Sequence, residues 1–372
     1  MRAVIAAGGT AGHVNPALAI AEEIMRNEPD SEIVFMGRED GMENRLVTSK
    51  GYKLVPIDVW GFMRSFKPDD ILFNLNSLRL IIKSSITARK FLKEFKPDVV
   101  IGCGGYVSGP VVNQASKLKI KTAIHEQNSF PGLTTRILSK KVDLILAPNE
   151  DAKVKLGHPE KTIVVGNPIS AAVVNADRVA SRNRLGIEDR RCILSFGGSL
   201  GARIINDIAA RMFRQCEGRD DIFLIHATGG YDTESFPNQL KEYGVDPEKM
   251  NCRVSTYIDD MPECLAAADI VVSRSGAITI SELAAAGKAS YLIPSPNVAE
   301  NHQYYNALTL SSRGAAILEE EKDMDPEATA SRIITLVCDE EEIARMSKAA
   351  KEIAAPDAAA VIYSQIKTLL KG

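Results

Sequence analysis

Three glycine-rich turns carry the first chemical signal in this 372-residue chain: Gly8-Gly9-Thr10-Ala11-Gly12, Gly102-Cys103-Gly104-Gly105 and Gly197-Gly198-Ser199-Leu200-Gly201. The first and third each link a short apolar run to a stretch of helical periodicity. Glycine there lets the backbone approach a ligand, and the helix N-terminus that follows offers unpaired N–H groups and a partial positive charge to an anion. That pattern suits a phosphate or pyrophosphate, although close helix–strand packing also selects glycine. None is a P-loop, because no Gly-Lys-Ser/Thr follows, and Gly8-x-Thr10 breaks the GxGxxG of dinucleotide folds.

Side chains beside the turns could do further work. His13 follows the first turn, a fitting place for a general base that titrates near neutrality, or for a cap or phosphate ligand that moves no proton. His125-Glu126-Gln127-Asn128 ends another apolar run and sets four polar groups at the same edge as the turns. Ser275–Glu282 follows a third run and enters a helix. Glu282 lies one turn in, where a carboxylate can take ribose hydroxyls or simply complement the helix dipole. His158 and His226 have no such company and read as structural. His and carboxylates never recur at ligand spacing, so no metal is expected, and no cofactor. Six cysteines without a CxxC pair read as free thiols in a reducing compartment.

The elements that must position these groups alternate strand and helix. Ala3–Ala7, Glu32–Met36, Leu54–Val59, Val99–Ile101, Thr122–His125, Leu144–Leu146 and Ile163–Val165 read as buried strands, and Pro16–Arg26 as a helix. The same grammar restarts at Cys192–Phe196 with helix Arg203–Arg214, then strands at Phe223–His226, Ile270–Val272 and Ser290–Ile293. Alternation of this kind makes parallel sheets covered on both faces. Two doubly wound α/β domains facing a central cleft are therefore expected: residues 1–165, 166–355, and a last helix in 356–372. Asn167-Pro168 and the polar stretch Asp177–Arg191 read as the linker, and Pro356 as the break before that helix. Composition agrees with a folded protein. Lys and Arg total 45 against 48 Asp and Glu, a net charge of -3, which argues against a protein that wraps nucleic acid. No apolar run is long enough to span a bilayer, and Ala3–Ala7 is too short for a signal-peptide core.

Taken together, the segments GGTAGHVNPALA (8–19), GCGGYVSGP (102–110), HEQN (125–128), GGSLGARIIN (197–206), IDDM (258–261), RSGAITISELAAAG (274–287) and NHQYYNA (301–307) resemble the MurG family. These are the UDP-N-acetylglucosamine:N-acetylmuramyl-(pentapeptide) pyrophosphoryl-undecaprenol N-acetylglucosamine transferases. The resemblance runs in the family's order over nearly the whole chain. It implies the GT-B fold, with the UDP-GlcNAc donor held largely by the C-terminal domain and lipid I as acceptor. By matching position, Ser199 would contact the nucleotide phosphates and Ile258 the uracil. Ala277, Ile278, Thr279, Ile280, Ser281 and Glu282 would line the nucleotide site, with Glu282 on the ribose, and Gln303 would bind the donor sugar. Thr10, Ala11, Gly12 and Asn128 would complete the donor site from the other domain. The last helix would return to pack on the N-terminal domain. Three positions depart from the common pattern: Ala11 for glycine, Leu200 for glutamine and Ser170 for arginine.

The reaction so implied is attack of the C4 hydroxyl of N-acetylmuramic acid on C1 of the donor sugar with inversion, with His13 as first choice of base and Glu126 as second. The acceptor is a lipid, which implies a peripheral protein on the cytoplasmic face of the cell membrane. Residues 62–96 fit an anionic inner-leaflet surface. Arg64, Lys67, Arg79, Lys83, Arg89, Lys90, Lys93 and Lys96 outnumber Asp69, Asp70 and Glu94, and Phe62, Phe66, Ile71, Leu72, Phe73, Leu75, Leu78, Ile81 and Ile82 are interleaved. The same composition would also serve a helix packed on the sheet. No protein partner is assigned. Competing readings are a UDP-N-acetylglucosamine 2-epimerase, against which HEQN and NHQYYNA speak, a dinucleotide oxidoreductase, and a homologue that binds the nucleotide sugar without turnover.

Overall fold

The computed structural model describes residues 1–61, 68–198, 200–230, 234–355 and 357–371. Ser199, Phe62, Arg64, Phe66, Lys67 and Pro356 lie outside them, as do the side chains of Asp69, Asp70, Ile71 and Leu72. The chain divides into two compact units, residues 1–169 with 356–372, and residues 170–355.

In the first unit the order is β1 (Arg2–Ala6), α1 (Ala11–Asn27), β2 (Glu32–Gly37), α2 (Met42–Ser49), β3 (Lys53–Pro56), α3 (Pro68–Phe95), β4 (Val99–Gly102), α4 (Gly105–Lys117), β5 (Lys121–His125), α5 (Leu133–Leu138), β6 (Leu144–Ala147), α6 (Glu150–Leu156) and β7 (Thr162–Val164). In the second it is α7 (Ala171–Asn175), α8 (Arg178–Leu185), β8 (Arg191–Phe196), α9 (Arg203–Gln215), β9 (Ile222–Ala227), α10 (Ser235–Glu242), β10 (Cys252–Ser255), α11 (Met261–Ala267), β11 (Ile270–Ser273), α12 (Ala277–Ala286), β12 (Ala289–Leu292), α13 (His302–Ser311), β13 (Ala316–Leu318), α14 (Pro326–Cys338) and α15 (Glu340–Ile353). The last helix, α16 (Ala358–Lys371), belongs to the first unit.

Both sheets are parallel and Rossmann-like, ordered β3-β2-β1-β4-β5-β6-β7 and β10-β9-β8-β11-β12-β13. Successive residues of β1 feed opposite cores, because strand side chains alternate between faces. Ala3 and Ile5 pack with α1 and with Ile362 and Ile366 of α16. Val4 and Ala6 pack with Ala88 and Leu92 of α3 and Val111 of α4. Burying Ile362 and Ile366 completely anchors α16 by roughly 1.5–3 kcal/mol per side chain. Strand order reverses between β1 and β4, and again between β8 and β11, and such reversals are where ligands bind in open α/β sheets.

Three expectations are corrected. Residues 177–191 are not a linker: Asp177 caps α8 through a 2.7 Å bond from the Ala180 N–H, and Arg178 and Arg182 tie that helix to Asp269 and the Ala267 carbonyl. The chain leaves the first unit at Ile169 instead. Next, α1 starts at Ala11 rather than Pro16, so Pro16 sits inside it. Lacking an N–H, Pro16 leaves the Gly12 carbonyl without its intrahelical donor. Finally, the second sheet carries two further edge strands, β10 and β13, of four and three residues.

Candidate functional site

Each strand-order reversal brings two of the sequence features together. In the first unit β1 pairs with β4, so the two glycine turns that follow them are neighbours. They interlock. Gly104 and Gly105 both have positive φ, and a Cβ on Gly105 would meet the Gly8 carbonyl while one on Gly104 would meet the His13 ring. Only glycine leaves room for this contact.

His13 lies in the first turn of α1, partly buried. Its Nδ1 is 3.1 Å from the Gly8 carbonyl oxygen and 3.3 Å from Thr10 Oγ1. A carbonyl can only accept, which assigns the proton to Nδ1 and leaves Nε2 as the basic nitrogen. Thr10, Ala11 and Gly12 surround that ring in sequence, with Thr10 as the extended residue before α1 and its carbonyl accepting from the His13 and Val14 N–H groups.

The HEQN segment closes the same edge after β5. Glu126 is 3% exposed. Its Oε1 accepts from the N–H of Gln127 and of Asn128 and from Asn128 Nδ2, and its Oε2 from the Gly132 N–H, all at 2.9–3.1 Å. With four donors fixed on it, this carboxylate organises its loop, and the structure leaves it poorly suited to the second-choice base role. His125 is buried and burial pushes it down to about 4, so it is neutral. His226 in the other unit, also buried, is held down to about 3.

One residue of this edge had no sequence signal. Glu43, in α2, is 1% exposed, yet its carboxylate accepts from the Gly9 N–H at 3.3 Å and the Arg38 N–H at 2.9 Å. It braces the first glycine turn from beneath. Its sequence neighbours, Met42-Glu43-Asn44-Arg45, look like an ordinary surface turn of helix.

In the second unit β8 pairs with β11, which sets the third glycine turn beside the start of α12. The N-cap residues of α12 and α9, Gly276 and Ala202, offer no side-chain cap of their own. Ala277, Thr279, Ser281 and Glu282 are partly exposed, whereas Ile278 and Ile280 turn into the core. The Ile280 N–H is already bonded to the Gly276 carbonyl at 2.9 Å, so Ile280 offers a ligand nothing and serves packing. Ile258 is 2% exposed, so only its main chain could meet a base. Glu282 is different. No described residue donates a hydrogen bond to it, and desolvation pushes its carboxyl up to about 7. A desolvated carboxyl without a donor is a candidate ligand group.

Gln303 stands on α13, which packs on α12. Its Oε1 accepts from the Ser295 N–H at 2.9 Å, which orients the amide and leaves Nε2 as a donor. Ser275 Oγ donates to the Gln303 carbonyl at 2.9 Å, tying α13 to the α12 turn. Glu300 and Asn301, just before α13, have φ of 57° and 49°, a costly left-handed pair of the kind that collects at functional loops. Leu200 is more than half exposed, and Ser170 caps α7 through the Ala172 N–H. Among the described residues no group of three or more His, Cys, Asp or Glu is placed to hold a metal.

Residues 3–147 match the glycosyltransferase family 28 N-terminal domain and residues 192–362 its C-terminal domain. The UDP-N-acetylglucosamine--N-acetylmuramyl-(pentapeptide) pyrophosphoryl-undecaprenol N-acetylglucosamine transferase of Acetivibrio thermocellus is 41% identical over 372 residues, covering 100% of this chain and 99% of its own. The chain belongs to the MurG family. It is a glycosyltransferase. The enzyme of the same name from Bacillus pumilus is 38% identical over 99% of both chains. The crystal structure of Acinetobacter baumannii MurG superposes with a TM-score of 0.76 at 27% identity over 99% of both chains. The UDP-GlcNAc 2-epimerase of Neisseria meningitidis superposes at 0.68 with 16% identity over the full length of both chains, a likeness of fold alone.

Proposed function

We propose that this MurG-family protein transfers N-acetylglucosamine from UDP-GlcNAc to the C4 hydroxyl of N-acetylmuramic acid in undecaprenyl-pyrophosphoryl-MurNAc-pentapeptide. The observation that carries the donor reading is Glu282, a desolvated carboxyl to which no described residue donates, on the helix that opens from Gly276. A ribose supplies the missing hydroxyls, and the N-termini of α12 and α9 face the diphosphate charge. The N–H groups of Ala277, Ile278 and Thr279 and the main chain of Ile258 hold the nucleotide, and Ser199 contacts its phosphates. Gln303 Nε2 donates to the sugar.

On the acceptor side His13 Nε2 takes the proton of the C4 hydroxyl as its oxygen attacks C1 of the α-linked sugar. The C1–O bond to the diphosphate breaks, UDP leaves with the electron pair, and the new bond is β-1,4. Thr10, Ala11, Gly12 and Asn128 complete the first unit's contribution, with Glu126 positioning Asn128.

The membrane reading rests on α3. Leu75, Leu78, Ile82 and Ile86 follow a three-four-four spacing and are all at least half exposed, so they form one outward apolar stripe. Arg79, Lys83, Arg89, Lys90 and Lys93 are exposed along the same helix, and each basic group near an anionic surface adds about 1 kcal/mol. Ser77, Ser84, Ala88 and Leu92 turn the other way and are buried. This is a helix that packs on the sheet by one face and meets the cytoplasmic leaflet by the other.

His13→Ala tests the base. Loss of a positioned base lowers kcat by about 10²–10⁴-fold with the KM for UDP-GlcNAc little changed. Near-normal turnover in that variant removes the assignment.

A further inference from the structure

The chain leaves the first unit through Gly166-Asn167-Pro168-Ile169, and the strand end that carries HEQN holds this exit. His125 Nε2 lies 3.1 Å from the Gly166 carbonyl oxygen. Asn167 Nδ2 donates to the Gln127 carbonyl at 3.0 Å. Gly166 itself has φ of 80°, so the turn it makes is closed to most other residues.

The Gln127 side chain links His125 to the second glycine turn. Gln127 Nε2 donates to His125 Nδ1 at 2.9 Å and to the Cys103 carbonyl at 3.1 Å. His125 therefore has its proton on Nε2, donated to Gly166, and receives on Nδ1. Gln127 Oε1 and His13 Nε2 both lie within 3.0 Å of the point where a Cβ on Gly104 would stand. His125 and Gln127 are each at most 3% exposed, so water cannot stand in for either link.

We propose that His125 and Gln127 are positioning residues. One buried relay, Gly166–His125–Gln127–Cys103, fixes the exit of the first unit and the turn against which the His13 ring packs. The inference rests on the reading of His13 as the base. A base displaced by an ångström loses on the order of 10²-fold in rate, so the relay acts on kcat more than on donor binding, most of whose groups belong to the other unit.

The test uses full-length His125→Phe, His125→Gln and Gln127→Met, with the Phe/Met double variant. Phenylalanine fills the space without a donor, whereas a glutamine amide still reaches the Gly166 carbonyl. The expected result is kcat at least tenfold lower in His125→Phe, with the KM for UDP-GlcNAc within twofold of wild type and kcat restored to within about threefold in His125→Gln. Members of one relay are not additive, so the double variant should be no slower than the slower single. Wild-type kcat in His125→Phe, equal losses in the Phe and Gln variants, or additive losses in the double variant would overturn the proposal. If His125→Phe does not fold, Gln127→Met, which leaves the His125–Gly166 bond intact, carries the same kcat and KM criterion. His13→Ala separates the two failures. If it is inactive while His125→Phe is unaffected, only the relay falls, whereas an active His13→Ala removes the base reading itself.

Discussion

Replacing Glu282 by glutamine removes a carboxyl that the fold desolvates and to which no described residue donates, and two opposite effects should follow. Burial raises this group from 4.5 to about 7, a displacement equivalent to about 3 kcal/mol. The residue is partly open to solvent, so about 1–3 kcal/mol is expected after screening. Its folded pKa lies above the unfolded one, so the neutral form is favoured in the fold. The penalty is absent below the ordinary carboxyl range, grows from pH 4.5 to 7 and is complete above that. Glu282→Gln should therefore be more stable than wild type by that amount at pH 8 and equal to it at pH 4, in urea unfolding. Donor binding should move the other way. If only the carboxylate accepts the ribose hydroxyls, about one molecule in ten is competent at pH 6 and nine in ten at pH 8, and affinity rises about tenfold between them. Glutamine loses a charge-assisted bond of about 1.5–3 kcal/mol, or about 10–100-fold at pH 8, and loses the pH dependence. Isothermal titration should use UDP-GlcNAc and not UDP, whose terminal phosphate itself titrates near about 6. Wild-type affinity that is flat from pH 6 to 8, or a Gln variant that binds like wild type, would refute the assignment.

Two further perturbations address the membrane face and the last helix. Ile82→Glu with Ile86→Glu should weaken sedimentation with phosphatidylglycerol vesicles by about 30–1000-fold, since each lost side chain is worth roughly 1–2 kcal/mol. The melting temperature should hardly move, because both residues are exposed. Glu28 is held down to about 2 chiefly by Lys367, with Tyr363 and the N-terminal ammonium adding to it. Its contribution is present above the ordinary carboxyl range and is lost as pH falls towards 2. Glu28→Gln should cost about 1 kcal/mol at pH 7, with a gap to wild type that closes in acid, and should speed proteolytic removal of α16.

The positions of the glycine turns were legible because strand, turn and helix differ in period and composition, and the pairing of β1 with β4 and of β8 with β11 then sets those turns beside their partners. Side-chain direction was not. Alternation inside Ala277–Glu282 sends Ile278 and Ile280 to the core and leaves Glu282 out, which only the helix register reveals. The Asp177–Arg191 stretch reads as a linker because its polar residues bind backbone carbonyls and Asp269 across the unit, contacts that no local window contains. Glu43 and the His125–Gly166 bond went unseen for the same reason, since their partners lie on other elements. Pro16 misled in the opposite sense: a helix-start signal by local rule, it sits in the second turn of a helix whose first turn presents His13.

Full-length protein, labelled UDP-GlcNAc and a short-chain lipid I analogue, incubated with chelator, should give a β-1,4-linked disaccharide lipid with release of UDP. Tight donor binding without product from the authentic acceptor, epimerised donor, or a strict need for added metal would contradict the account.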